Sequence, residues 1–274
     1  MYWGEKFVNV ATSTDLINWE PMLDEKGDFL KVITPREGKF DSDLTECGPP
    51  AIMTDKGILL LYNGKNKSGA EGDTLYTANS YCAGQALFDA KDPTKLIDRL
   101  DKPFYIPESD FEKSGQYPAG TVFIEGLVFH NQKWYLYYGC ADSRVAVAVY
   151  DPLRNKCNEK DRTLLFDICF ALQMVAQEQN YFTNPVIRGD VPDPSVIRIE
   201  DTYYATGTSS EWAPFYPMFT SKDLVNWKQV GHVFTKQPSW TSNSFWAPEL
   251  FYHNNKVYCY YTARQKVPGY HISE

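Results

Sequence analysis

Along most of the chain the apolar positions fall in runs of five to eight residues rich in aromatic and β-branched types, broken by clusters of Gly, Asn, Asp and Pro. Four of these runs share one form, a turn followed by an aromatic strand. Lys56-Gly57 precedes ILLLYNG, Gln132-Lys133 precedes WYLYYG, Asp201-Thr202 precedes YYATG, and Asn255-Lys256 precedes VYCYYT. Runs this short, with apolar residues on both faces and turn formers between them, predict antiparallel strands rather than helices. Each turn and its strand read as the inner hairpin of a small sheet. One heptapeptide pattern also recurs: S-x-D-L-x-N-W at Ser13–Trp19 and again at Ser221–Trp227. A repeated hairpin and a repeated loop motif point to small sheets arranged around an axis, an all-β propeller.

One stretch departs from this pattern. From Arg162 to Gln179, Leu164, Leu165, Ile168, Cys169, Leu172 and Val175 fall at helical spacing and predict a connecting helix. The same stretch has basic residues ahead of an apolar run and Ala176 after it, so a relic secretion signal is the alternative, against which stands Asp167 within the run. The expected division is residues 1–152, a linker over 153–180, and residues 181–274.

Composition narrows the function classes. A net charge of -8, with 27 basic residues scattered among 35 acidic ones, excludes the basic surface that a phosphate backbone requires, so no nucleic-acid partner is expected. The chain opens without a signal sequence, and no apolar run is long enough to span a bilayer, so no membrane partner or export address is expected. The cysteines are widely spaced and form no CxxC pair, which argues for free thiols rather than zinc or a disulfide scaffold. No acidic loop has a calcium-ligand pattern, so no cofactor is expected. The 19 Tyr, 16 Phe and 7 Trp are unusually many, and flat amphipathic rings both fill β-sheet cores and stack on sugar faces; core and sheet packing accounts for most of them.

The segments FDSDLTECGPPAIMTDKGILLLYNGKN, YCAGQALFDAKDPTKLIDRLDKPFYIPESDFE and GTVFIEGLVFHNQKWYLYYGCADSRVAVA resemble the C-terminal half of glycoside hydrolase family 130. The resemblance implies a five-bladed propeller acting on β-mannosides by hydrolysis or phosphorolysis, with the family's general acid in N-terminal blades that have no counterpart here. Family phosphorylases usually carry His where this chain has Asn63, and the loss of a phosphate-holding cation favours water as the nucleophile. By the same resemblance Glu46, in the turn before Cys47-Gly48-Pro49-Pro50, is a candidate general base, with a solvated loop acid as the alternative. Tyr81, Asn63 and Asp142 are candidate sugar ligands at strand ends, Asp142 being equally a turn cap. Glu125, inside an apolar strand, must be paired, for instance with an arginine, or functional, because an isolated buried carboxylate is costly.

Asn184–Val196, with DPS at Asp193-Pro194-Ser195, and the later Trp246-Ala247-Pro248-Glu249 resemble the opening of glycoside hydrolase family 43. The resemblance makes Asp193 the general base of an inverting hydrolysis of arabinose- or xylose-containing glycans, with the general acid expected from a blade beyond Glu274. Trp246 is a candidate sugar platform, and Trp212 a weaker one.

The expected function is therefore glycoside hydrolysis of an oligosaccharide or polysaccharide. The alternatives are a phosphorylase, a non-catalytic sugar-binding propeller and an inactive fusion. Closure of the two stretches into one hybrid ring would remove exposed sheet edges. The expectation runs against it, because blade faces from unrelated parents should leave cavities where they meet.

Overall fold

The computed structural model describes residues 1–152 and 182–266. The expected helix and the linker lie outside the described residues. Within them the chain is almost entirely β, with one 3-10 turn at Asp110–Glu112.

The strands form five sheets. The first holds β1 (Tyr2–Trp3), β2 (Val8–Thr12), β3 (Glu20–Pro21) and β4 (Lys31–Ile33). The second holds β5 (Leu44–Cys47), β6 (Ile52–Thr54), β7 (Gly57–Lys65), β8 (Tyr81–Phe88) and β9 (Leu96–Arg99). The third is β10 (Val122–His130), β11 (Lys133–Cys140) and β12 (Arg144–Tyr150). The fourth runs β13 (Ser195–Ile199), β14 (Thr202–Thr206), β15 (Phe215–Ser221) and β16 (Lys228–Phe234). A fifth, of two strands, pairs β17 (Thr241–His253) with β18 (Lys256–Gln265). The arrangement is four propeller blades and a partial fifth, and all the named pairs are antiparallel. The four turn-plus-aromatic-strand units are β7, β11, β14 and β18, the second strand of each hairpin in sheets two to five.

The two stretches do not stay apart, which corrects the expectation of mismatched faces. Residues 184–187 run along the outer edge of β12: Val186 N donates to Val145 O (2.9 Å), Val145 N to Ile187 O (3.3 Å), and the Asn184 amide brackets Val147 through both its oxygen and its nitrogen. One apolar cluster crosses the junction, joining Val128, Tyr137, Val145 and Val147 to Ile187, Val191, Val196 and Phe219. The close approach depends on Gly126, where an added Cβ would lie 2.9 Å from Pro194 O. The packing objection fails because a glycine on one side meets the Pro194 backbone on the other, and the apolar side chains fill what remains.

Candidate active site

The inner ends of the sheets line a solvent-open cavity of about 920 Å³. Seven carboxylates line it: Glu5, Glu46, Glu125, Asp142, Asp190, Asp193 and Glu249. No Lys, Arg or His side chain is among the described residues of its wall. Aromatic faces complete the wall, including Trp3, Trp19, Tyr81, Phe123, Trp246 and Tyr260.

Each acid is brought there by a local feature of backbone. Glu46 lies on β5, opposite Asn63 of β7. Glu125 is the extra residue of a β-bulge in β10: Ile124 pairs with Tyr138 and Gly126 with Tyr137, leaving Glu125 unpaired between them. A bulge re-aims the side chain it carries, which is how a carboxylate inside an apolar strand reaches the cavity. Asp142 sits in the left-handed turn after β11 (φ +54°) and Asp193 in a left-handed residue just before β13 (φ +55°). Asp tolerates that region better than most residues. Glu249 follows a register shift in β17, after which it pairs with Tyr260.

The electrostatics follow from crowding like charges away from water. Glu46 has its carboxyl pushed up to about 8, first by burial and then by Glu5, Asp193 and Asp142. Glu249 is raised to about 8 by burial, against the hydroxyl of Ser195 that donates to it at 2.9 Å. Glu125 is held well above the ordinary carboxylate range by burial and by Asp193, Glu46 and Glu249. Among the described residues it has neither an ion pair nor a hydrogen bond, and no arginine stands beside it. Asp142 rises to about 6 through burial and the neighbouring Asp193 and Asp190. Asp193 is raised by burial too, but two donors favour its ionised form: the Thr208 hydroxyl and the backbone N–H of Ala247. Thr208 is itself held by Ala247 N at 2.7 Å. Glu46 and Glu125, for which no donor is found among the described residues, thus stand apart from Asp193, whose anion is favoured by donors.

Of the residues singled out from sequence, the structure brings Glu46, Asp193, Asp142, Tyr81 and Trp246 into this one cavity. Trp246 is exposed at its wall, whereas Trp212 is not part of the wall. Asn63 is a correction. It is fully buried away from the cavity, and its amide is spent on backbone, accepting from Ile124 N (2.7 Å) and donating to Ile124 O (3.0 Å). It ties the second sheet to the third and has no group left for a sugar. Sequence reasoning missed the convergence of Glu125 and Glu249 on the cavity. The signal for Glu125 was its place in an apolar strand; for Glu249 there was only its neighbourhood to Trp246. The described residues contain no group of three or more His, Cys, Asp or Glu arranged to hold a metal, and the four described cysteines are free thiols.

Comparison with known proteins accounts for both stretches. The family 130 model, described as beta-1,4-mannooligosaccharide phosphorylase, matches residues 2–157, and the family 43 glycosyl hydrolase model matches residues 182–272. A beta-1,2-mannobiose phosphorylase of Thermoanaerobacter sp. is 35% identical over 43% of this chain and 36% of its own length. A non-reducing end alpha-L-arabinofuranosidase of Bacteroides ovatus is 35% identical over 39% of this chain and 21% of its own. A solved structure of a protein from Parabacteroides distasonis is 72% identical, with a TM-score of 0.54 over 55% of this chain and 43% of that one. Another, from work on family 130 glycoside hydrolases that target beta-1,2 mannosidic linkages in Candida mannan, is 63% identical, with a TM-score of 0.54 over 56% of this chain and 42% of that one. The chain thus spans less than half the length of each of these proteins.

Proposed function

The chain belongs over residues 2–157 to glycoside hydrolase family 130, a family of carbohydrate-active enzymes, and carries a family 43 segment over residues 182–272; from this we propose that it hydrolyses a β-mannosidic bond in its axial cavity. The observation that carries water over phosphate as the nucleophile is the wall itself. With seven carboxyl groups and no Lys, Arg or His side chain among its described residues, the wall offers a phosphate dianion none of the cationic side chains with which a phosphorylase holds it. The 63% identity to the structure from work on hydrolases of beta-1,2 mannosidic linkages supports the same reading.

In the proposed reaction the two carboxyl groups take opposite roles. Asp193, stabilised as the anion by Thr208 and Ala247 N–H, removes a proton from water as it attacks the anomeric carbon. Glu46, which burial keeps protonated near neutral pH, donates its proton to the leaving glycosidic oxygen. Two acids whose surroundings separate their proton affinities are the usual basis of such a division. The assignment reverses the expectation that Glu46 is a base, since a carboxyl that holds its proton up to about 8 is poor at taking another.

The test is release of mannose from β-1,2-linked manno-oligosaccharides and of p-nitrophenol from β-mannoside, α-arabinofuranoside and β-xyloside substrates, with and without phosphate. Phosphate-independent turnover that falls by at least about a hundredfold in both Asp193→Asn and Glu46→Gln is expected. Formation of mannose 1-phosphate only when phosphate is present would overturn the hydrolytic reading. Binding retained in wild type and both variants without turnover would identify a sugar-binding propeller.

A further inference from the structure

The two S-x-D-L-x-N-W copies build the same loop twice. In the first, Ser13 Oγ accepts from Leu16 N (2.9 Å), Asp15 Oδ1 from Ile17 N (2.9 Å) and Asn18 N (2.8 Å), and the Asn18 amide donates to Asp15 Oδ2 (2.7 Å). In the second, Ser221 Oγ accepts from Leu224 N (2.9 Å), Asp223 Oδ1 from Val225 N (3.1 Å) and Asn226 N (2.8 Å), and Asn226 donates to Asp223 Oδ2 (2.7 Å). The leucine is left-handed in both, with φ of +62° and +68°. That conformation turns the loop so that its carbonyl is offered outward.

What receives the carbonyl is also repeated. Tyr137 of β11 donates its hydroxyl to Leu224 O, and its ring meets Trp227 edge-on at 5.8 Å. Tyr260 of β18 donates to Leu16 O at 2.8 Å, and its ring meets Trp19 edge-on at 5.9 Å. The two tyrosines hold the same place in the hairpin strand, four residues after the lysine of Gln132-Lys133 and of Asn255-Lys256. In both copies the indole N–H is buried, and among the described residues it meets no acceptor other than the hydroxyl of the tyrosine its ring packs against. Every part of the contact therefore recurs, and each copy joins two sheets. The Tyr137 copy joins the third sheet to the fourth. The Tyr260 copy joins the fifth to the first, residues 244 apart in sequence.

We infer that Leu16, Trp19 and Tyr260 are the latch that closes this hybrid ring, and that Tyr260 is a positioning residue for the Glu249 carboxylate. Tyr260 is the cross-strand partner of Glu249, so anchoring its hydroxyl on the first sheet sets where β17 holds that acid. The two copies differ in one respect that matters here. Leu224 is fully buried in the core, whereas Leu16, Trp19 and Tyr260 all border the cavity. Loosening the Tyr260 copy would admit water beside the acids, which loosening the Tyr137 copy would not. The family 130 stretch thus supplies the loop and the family 43 stretch the tyrosine, and the seam between them is what completes the cavity wall.

The test measures amide exchange by mass spectrometry and carboxyl titration by ¹³C NMR on the full chain, with Glu249 assigned through Glu249→Gln. Tyr260→Phe removes one hydroxyl without changing shape. It should speed exchange of β18 amides roughly five- to tenfold, the effect of losing one hydrogen bond on local opening, and shift the Glu249 titration toward the ordinary carboxylate range. Trp19→Phe should act in the same direction. Tyr137→Phe should speed exchange around β11 while leaving the Glu249 titration in place. Unchanged β18 exchange and unchanged Glu249 titration in both Tyr260→Phe and Trp19→Phe would overturn the latch. Because both readouts are independent of turnover, an inactive protein tests the latch as well as an active one does.

Discussion

A carboxyl that holds its proton in the fold behaves differently from one that loses it, and the cavity acids make this measurable. Glu46 and Glu249, both raised to about 8, bind a proton more tightly folded than unfolded. The stability they contribute is fully present below the unfolded carboxyl range near 4.3 and is lost as pH rises through about 8. Thermal melts should therefore give a lower Tm at pH 9 than at pH 6, and Glu249→Gln, which cannot ionise, should reduce that difference. If the site works as proposed, the pH–rate profile is a bell. Its alkaline limb lies near 8, from loss of the Glu46 proton, and its acid limb lies above the ordinary aspartate value, from protonation of Asp193. Asn63 belongs to this scale as well. Asn63→Ala would orphan the N–H and C=O of Ile124, at about 1–3 kcal/mol for each group, and should lower Tm without altering the pH of the alkaline limb.

At the scale of the element, the bulge in β10 does two things with adjacent residues. Glu125, the extra residue, reaches the cavity; Gly126, next to it, lets the strand pass Pro194 O and Val196 of the fourth sheet. Gly126→Ala would place a Cβ 2.9 Å from that carbonyl and 3.2 Å from both Tyr137 Cβ and Val196 Cγ2, so backbone must move. The expected cost is about 1–3 kcal/mol, read as a shift of the denaturation midpoint at constant slope. Glycine was legible in the sequence at this position, but its reason was not. The demand comes from a carbonyl 68 positions later, and no local pattern records that approach.

Over the whole molecule, the apolar cluster that crosses the junction makes the two stretches one folding unit rather than two. Calorimetry of the full chain should show a single transition with matching calorimetric and van't Hoff enthalpies. Two separated transitions would mean that the stretches fold independently. The ring also explains why the proposed pair could not be found by reading either stretch alone. Glu46 and Asp193 lie 147 positions apart, in segments that match different families, and only the arrangement of sheets brings both to the wall of one cavity.

The strand class, the blade-like hairpins, both family resemblances and five of the cavity's residues, Glu46, Tyr81, Asp142, Asp193 and Trp246, were readable from order and residue type, because strand periodicity, turn chemistry and short motifs are local properties. The helix expected over residues 162–179 lies outside the described residues. Three things required the tertiary structure. The packing of the two stretches rests on one glycine and on an edge pairing by residues 184–187. The exclusion of Asn63 from the cavity follows from its partner Ile124, 61 residues away. The proton affinities of the acids depend on how many like charges are gathered away from water in one place, a count that exists only once the five sheets stand around their axis.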